Sequence, residues 1–294
     1  VVTPLAMMAI VVPFILRGEA SAARLAEVYD AEPLVVDKPD AQPIDPAGIK
    51  GRVVFDNVSF AFQRPDGQLD PPAIKNINLT IEAGERVGIL GATGAGKSAL
   101  VNLLPRFYDV TEGRITIDGT DVRDFPQENL RQVVGIALQE AVLFQNDVRF
   151  NLKFGAADAD DDVMIAAARA ADAAGFIDNL PEKYDAPVAR RGYNFSGGQR
   201  QRLSMGRALT PEPRILVLDD STSALDVATE SRVQAAIPQF SKNVTTIYVA
   251  QRISAVIDLD KIVLMENGKI VDVGKHEELL ARSALYQGIY ESQL

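Results

Sequence analysis

The sequence predicts an α/β fold: a mainly parallel sheet core with an antiparallel β subdomain and an inserted α-helical subdomain. Three observations carry this. From Arg86 onward, short apolar strands alternate with helices, the pattern of a sheet covered on both faces. Before Arg86, two strand-like runs, beginning at Val53 and at Ile74, succeed one another with no helix between. Between Gln139 and Arg207 the texture turns helical and interrupts the alternation.

Taken in order, Val1 to Leu16 is almost wholly apolar, with Pro4 and Pro13 inside. A membrane span takes about 20 such residues. Residues 1–17 are therefore expected to be the C-terminal part of a transmembrane helix whose start precedes Val1. A signal peptide would show a basic start and a small-residue cleavage site, and neither is present. Arg17 and Arg24 favour the cytosolic side for the rest of the chain. Residues 18–50 read as a connecting helix (Glu19 to Tyr29) and a Pro- and Asp-rich linker.

Residues 51–294 form the main domain. Strands are expected over Val53 to Phe60, Ile74 to Ile81 and Arg86 to Leu90, then a helix from about Lys97 to Phe107. Further strands fall at Ile115 to Ile117 and Val133 to Leu138. The helical subdomain covers about 140–207: an Ala-rich helix from about Asp158 to Leu180, with acids at its positive end, and a second from Ser196 to Arg207. Next come a buried strand, Ile215 to Leu218, a helix, Val227 to Ile237, and a strand, Thr246 to Ala250. Lys261 to Glu266 and Lys269 to Val273 make a hairpin on the turn Asn267-Gly268. A last helix covers His276 to Ser292.

Composition excludes several classes. Of 294 residues, 47% are hydrophobic, enough for a sizeable core. The net charge of −10 makes general nucleic-acid binding unfavourable, because phosphate attraction needs a basic field. With no cysteine, disulfides, thiol catalysis and cysteine zinc sites are excluded. The single histidine, His276, reads as a surface residue.

The chemistry concentrates at Gly91-Ala92-Thr93-Gly94-Ala95-Gly96-Lys97-Ser98, which matches G-x-x-x-x-G-K-[ST] between a strand and a helix. The glycines let backbone N–H groups turn inward around a phosphate. Lys97 neutralises the β- and γ-phosphates, Ser98 offers a hydroxyl to Mg²⁺, and the helix, continuing through Ala99, aims its positive end at the anion. The ligand implied is Mg-ATP on a P-loop NTPase (RecA-like) core. Ile215 to Leu218 ends in Asp219, a carboxylate at the ligand edge of a parallel strand, suited to holding Mg²⁺. Ser196-Gly197-Gly198-Gln199 opens another helix with a second anion-binding pattern.

These motifs, together with Gln139 at a strand end, Phe195 before the signature, and Ser223-Ala224-Leu225-Asp226, occur in the order of an ATP-binding-cassette (ABC) transporter nucleotide-binding domain of exporter type, which the chain resembles from about Arg52 to Leu294. The segment before it resembles the end of the last membrane helix of an exporter half. The resemblance implies that Phe62 stacks on adenine, that Gln139 touches Mg²⁺ and faces the membrane domain, and that Ser196 to Gln199 close over a partner's γ-phosphate. It implies that Asp226 links two sites across a head-to-tail dimer. Tyr184 to Gly192 resembles a loop contacting the membrane domain, with Arg190 where an acid is usual. The location implied is the inner (plasma) membrane, with this domain on the cytoplasmic side.

Two positions depart from the family. Asp220 stands where the general base is usually Glu, and Gln251 where a switch histidine is usual. Aspartate is one methylene shorter, and a misplacement near 1 Å costs about 10²-fold in rate. Glutamine hydrogen-bonds but cannot become cationic. The resemblance therefore points to the degenerate-site half of a heterodimeric exporter, which holds ATP but hydrolyses it slowly while its signature completes the partner's site. The rivals are a homodimeric exporter with active sites and a soluble ABC ATPase outside transport.

Overall fold

The computed structural model describes residues 2–64 and 66–293 and divides into two units, one ending at Val36 and one beginning at Asp37. In the first, α1 (Val2–Tyr29) is one helix running through Pro13. The apolar segment and the connecting helix are thus continuous. Val1, which opens the expected membrane segment, and Leu294, which closes the main domain, lie outside the described residues. Among the described residues no helix is long and apolar enough to cross a membrane.

The second unit begins with two antiparallel strands, β1 (Val53–Phe60) and β2 (Ile74–Ile81). The next, β3 (Arg86–Leu90), enters a different sheet and runs into α2 (Lys97–Asn102). The chain then returns to the first sheet with β4 (Glu112–Ile117) and β5 (Thr120–Asp121), completing the order β2-β1-β4-β5. Next, α3 (Gln127–Val133) leads directly into β6 (Val134–Ala137).

The helical insert is bracketed by a two-residue ladder, β7 (Asn146–Asp147) with β8 (Pro187–Val188). It contains α4 (Val148–Lys153), α5 (Asp161–Ala170) and α6 (Ala174–Ile177). The return is α7 (Gly197–Leu209), whose Arg207 bonds the carbonyls of Val142 and Asn151. Burial lowers the pKa of Arg207 to about 10, so carbonyls and the Phe144 ring face, not an acid, hold its charge. The remaining elements are β9 (Ile215–Asp219), α8 (Val227–Phe240), β10 (Thr245–Ala250), the hairpin β11 (Lys261–Glu266) and β12 (Lys269–Gly274), and the helices α9 (His276–Arg282) and α10 (Ala284–Glu291).

The central sheet has the order β12-β11-β3-β10-β9-β6, parallel except at β12. Every residue of β9 and β10 is buried, as unbroken apolar runs require when helices or a second sheet cover both faces. One core lies between this sheet and the antiparallel sheet, and another beneath α5, α7 and α8. The α/β class with an antiparallel subdomain and a helical insert is as predicted.

Two expected helices are broken, each for a local reason. The Ala-rich helix stops where Asp172 adopts φ +55°, with Ala173 N–H bonding Ala168 C=O and Asp172 N–H bonding Arg169 C=O. This is a Schellman cap without glycine, and Arg202 and Arg232 hold the Asp172 carboxylate in place. The last helix breaks at Ser283, whose hydroxyl accepts from Tyr286 N–H and restarts the chain as α10. His276 is not a plain surface residue: it is half-buried, with Nδ1 2.8 Å from the hydroxyl of buried Tyr286.

Candidate functional site

Strand register sets the geometry. Val249 faces Asp219, Ala250 faces Leu90 and Ala137 faces Leu218. The residues just past these ends (Gly91, Gln139, Asp220 and Gln251) therefore emerge along one edge of the sheet, the ligand-binding edge of open α/β sheets. Gln139, Asp220 and Gln251 there border a cleft of about 280 Å³, lined also by Phe62, Thr93, Gly94, Gly96, Lys97, Ser98, Ala99 and Asp219, whereas Gly91 and Ala95 line a neighbouring cleft.

The loop between β3 and α2 can only be glycine-rich. Gly96 has φ +96°, and a Cβ there would stand 2.7 Å from the Ala73 carbonyl. At Gly91 a Cβ would stand 2.3 Å from the Met265 carbonyl. Lys97 is buried over the loop it closes and donates to the carbonyls of Gly91 (2.8 Å) and Ala92 (3.0 Å). Burial lowers its pKa, opposed by the carboxylates of Asp220 and Asp219. An ammonium held on neutral carbonyls is ready to exchange them for anionic oxygens, which bind it more strongly.

Across the cleft, Ser98 donates to Asp219 Oδ1 at 3.0 Å. Asp219 is buried, and burial raises its pKa, with the Ser98 hydrogen bond pulling the other way. A hydroxyl and a carboxylate form a hard oxygen pair that fits Mg²⁺, which takes one or two carboxylates and leaves the rest of its shell to water and phosphate. Among the described residues no cluster of three or more His, Cys, Asp or Glu could hold a metal, so a cation here would rely on the nucleotide's own oxygens.

Asp220 has φ +46° and anchors its N–H on the Val249 carbonyl. Its Oδ2 accepts from both Gln139 Nε2 and Gln251 Nε2, each at 3.2 Å. Burial raises its pKa, with the Gln251 bond and Lys97 lowering it. Gln251 also accepts from the Thr93 hydroxyl at 3.3 Å, tying the end of β10 to the loop between β3 and α2. Phe62 stands 38% exposed at the mouth, in T-shaped contact with Phe60 and Tyr108, so part of its ring is open to a flat ligand.

The remaining candidates lie elsewhere. Ser196 caps α7, its hydroxyl accepting from Gln199 N–H while Gln199 Oε1 accepts from Ser196 N–H. Asp226 caps α8 through Thr229 N–H and hydroxyl, bonds that lower its pKa. Neither Ser196 to Gln199 nor Asp226 lines the 280 Å³ cleft. In the loop from Tyr184 to Gly192, Tyr184 is buried and Arg191 pairs with Glu140. Sequence reasoning missed Ala73 and Val249, which line the cleft, and Gln201. Buried Gln201 accepts from Ala224 N–H, tying α7 to the segment that leads to Asp226. The end of β10 was a signal for Val249; nothing local marked Gln201.

A family model described as ABC transporter matches residues 74–223. The chain is 43% identical over 277 residues to an ATP-dependent lipid A-core flippase of Syntrophus aciditrophicus, covering 94% of this chain and 45% of that protein. It is 46% identical over 254 residues to a putative multidrug export ATP-binding/permease protein of Staphylococcus aureus, covering 86% of this chain and 43% of that one. The structure of a bacterial Atm1-family ABC exporter with ATP bound superimposes with a TM-score of 0.85 at 36% identity, over 99% of this chain and 50% of its own. The chain thus spans about half the length of the relatives it matches.

Proposed function

The chain belongs to the ABC transporter family as an ATPase domain of exporter type, and from that premise we propose that it holds Mg-ATP in the cleft between Phe62 and Gln251 and drives export through a membrane domain in its own chain. Phe62 stacks on the adenine. The backbone from Gly91 to Ser98 and the Lys97 ammonium hold the phosphates. Ser98, Asp219 and Gln139 hold Mg²⁺, which when bound neutralises charge on the β- and γ-oxygens. Asp220 is the group placed to orient a water. The segment before residue 18 is the end of the last membrane helix, and this domain lies on the cytoplasmic side. The similarity to named exporters and a flippase supports transport over a soluble role.

The observation that carries the finer reading is the pair of glutamine amides on Asp220 Oδ2. A short carboxylate engaged by two amides is poorly placed to take a proton, since a general base must reach it within hydrogen-bond distance. Gln251 cannot become cationic as charge develops. We therefore read this as a degenerate site that retains ATP, whose Ser196 to Gln199 and Asp226 complete the working site of a second ABC half-transporter in a head-to-tail heterodimer. The test is hydrolysis by the purified full chain alone against the chain with its partner. Low turnover alone and high turnover together is the expected result; equal turnover sinks the heterodimer.

One observation favours the second reading, a homodimeric exporter with active sites. Asp220 is still a carboxylate, and its raised pKa moves it towards the range of an effective base. Fast hydrolysis by the chain alone selects that reading.

A further inference from the structure

The backbone that carries Gln251 leaves the sheet at Ala250, and the strand ladder no longer supports it. Two of its polar groups are met by one side chain from far along the sequence. Gln293 Nε2 donates to the Gln251 carbonyl at 2.9 Å, and Gln293 Oε1 accepts from Ile253 N–H at 2.8 Å. A primary amide carries N–H donors and a carbonyl acceptor in one plane, so it can grip a C=O and an N–H two residues apart as a neighbouring strand would.

The rest of this loop is tied down by other means. Arg252 donates to the Thr222 carbonyl and to Glu230, and Gln234 donates to the Ala255 carbonyl. On the side of α10, Gln293 lines two clefts: one of about 520 Å³ against the phosphate loop, the other of about 410 Å³ beside Tyr290. On that side the loop is thus held by a hydrogen-bonded amide with open space around it. The helix delivering the amide is itself anchored, because Tyr286 is fully buried and its hydroxyl meets His276.

We infer that Gln293 is a positioning residue for the nucleotide cleft: it fixes the backbone from which Gln251 reaches Thr93 and Asp220, so that α9 and α10 act as a lever on turnover. This rests on the reading of the cleft as an ATP site. The chain of contacts is short. The amide of Gln293 holds the carbonyl of Gln251, and the Gln251 side chain holds both the loop hydroxyl of Thr93 and the carboxylate of Asp220. Because Gln293 does not line the 280 Å³ cleft and holds it through the Gln251 backbone, its loss changes geometry more than affinity.

The experiment uses the purified full chain and the variants Gln293→Leu and Gln293→Glu, reading hydrogen exchange at the Ile253 amide and kcat and KM for ATP. Gln293→Leu removes both bonds. It is expected to speed exchange about three- to tenfold, the range for a lost hydrogen bond, and to lower kcat by a similar factor with KM for ATP moved less than about twofold. Gln293→Glu keeps the acceptor for Ile253 N–H but sets a carboxylate against the Gln251 carbonyl, so exchange stays near wild type while kcat still falls. Unchanged exchange in Gln293→Leu overturns the clamp. Faster exchange with wild-type kcat, or wild-type kcat in Gln293→Glu, overturns the positioning role. If wild type fails to bind ATP, the reading of the cleft falls, while the exchange result still decides the clamp.

Discussion

The phosphate-loop end and the signature end of this domain are built from similar parts and arranged in opposite ways. At the first, side chains far apart in sequence meet: Ser98 with Asp219, Thr93 with Gln251, and Gln139 and Gln251 with Asp220. At the second, the two capping side chains close on their own helices, Ser196 with Gln199 and Asp226 with Thr229. A site that many strands assemble is ready to take a ligand within one chain. A helix N-terminus satisfied by its own cap keeps its shape without a ligand, which suits the proposed role of meeting an anion brought by a partner. Charge and glycine alone therefore do not make a complete site; the convergence of separate elements does.

The largest effect should come from removing the cation at the convergent end. Lys97→Ala is expected to weaken ATP binding and any turnover by on the order of 10²-fold, the loss typical of one charged donor in a water-poor site. Nucleotide titration of the full chain checks it, and an effect under about threefold would mean that the phosphates lie elsewhere. Next is Asp220→Glu with Gln251→His, which restores a longer carboxylate and a group able to carry positive charge. Turnover at this site should rise about 10- to 100-fold if geometry limits it. Single-turnover hydrolysis with labelled ATP measures this, and no rise would remove the degenerate-site reading. Phe62→Ala should weaken ATP binding about five- to tenfold through lost stacking on the base, with Phe62→Tyr near wild type. Equal loss of ATP and of inorganic triphosphate would show that Phe62 does not meet the adenine.

How much of the fold and the site is legible in the sequence depends on the range of the forces involved. The phosphate loop is local: glycine spacing, Lys97 and Ser98 sit in one turn, and backbone sterics dictate them. Its strand-to-helix setting is legible for the same reason, as are the hairpin at Asn267-Gly268 and the cap at Ser196. The double hold on Asp220 is not, because it needs the register of β6, β9 and β10, and register is a property of the whole sheet. Asp172 escapes notice because aspartate in a left-handed cap looks like any helical acid until Arg202 and Arg232 are brought to it. His276 reads as a surface residue because the burial of Tyr286 depends on the break at Ser283.

The smallest effect sharpens the comparison through its pH dependence. Burial raises the pKa of Asp219, whereas the cap bonds of Asp226 lower its own. A carboxylate whose folded pKa lies above its ordinary value favours the fold at low pH, and that contribution is lost as pH rises through the folded value. One whose folded pKa is depressed favours the fold at neutral pH, and loses that contribution as pH falls through the folded value. Asp219→Asn removes a buried charge and leaves a hydrogen-bonding amide opposite Ser98. At pH 7 the variant should therefore unfold later than wild type, by on the order of 1 kcal/mol. The gap should close as pH falls from neutral through the raised pKa of Asp219, because wild type then protonates and sheds the same cost. Asp226→Asn should behave in the opposite sense: destabilised at pH 7, approaching wild type only as pH drops below the ordinary aspartate range. Urea titrations from neutral pH down to about pH 3, below the ordinary aspartate value, would show the two curves diverging. A pH-independent gap for Asp219→Asn would mean that its carboxylate carries no burial cost, and that the phosphate-loop end is as relaxed as the signature end.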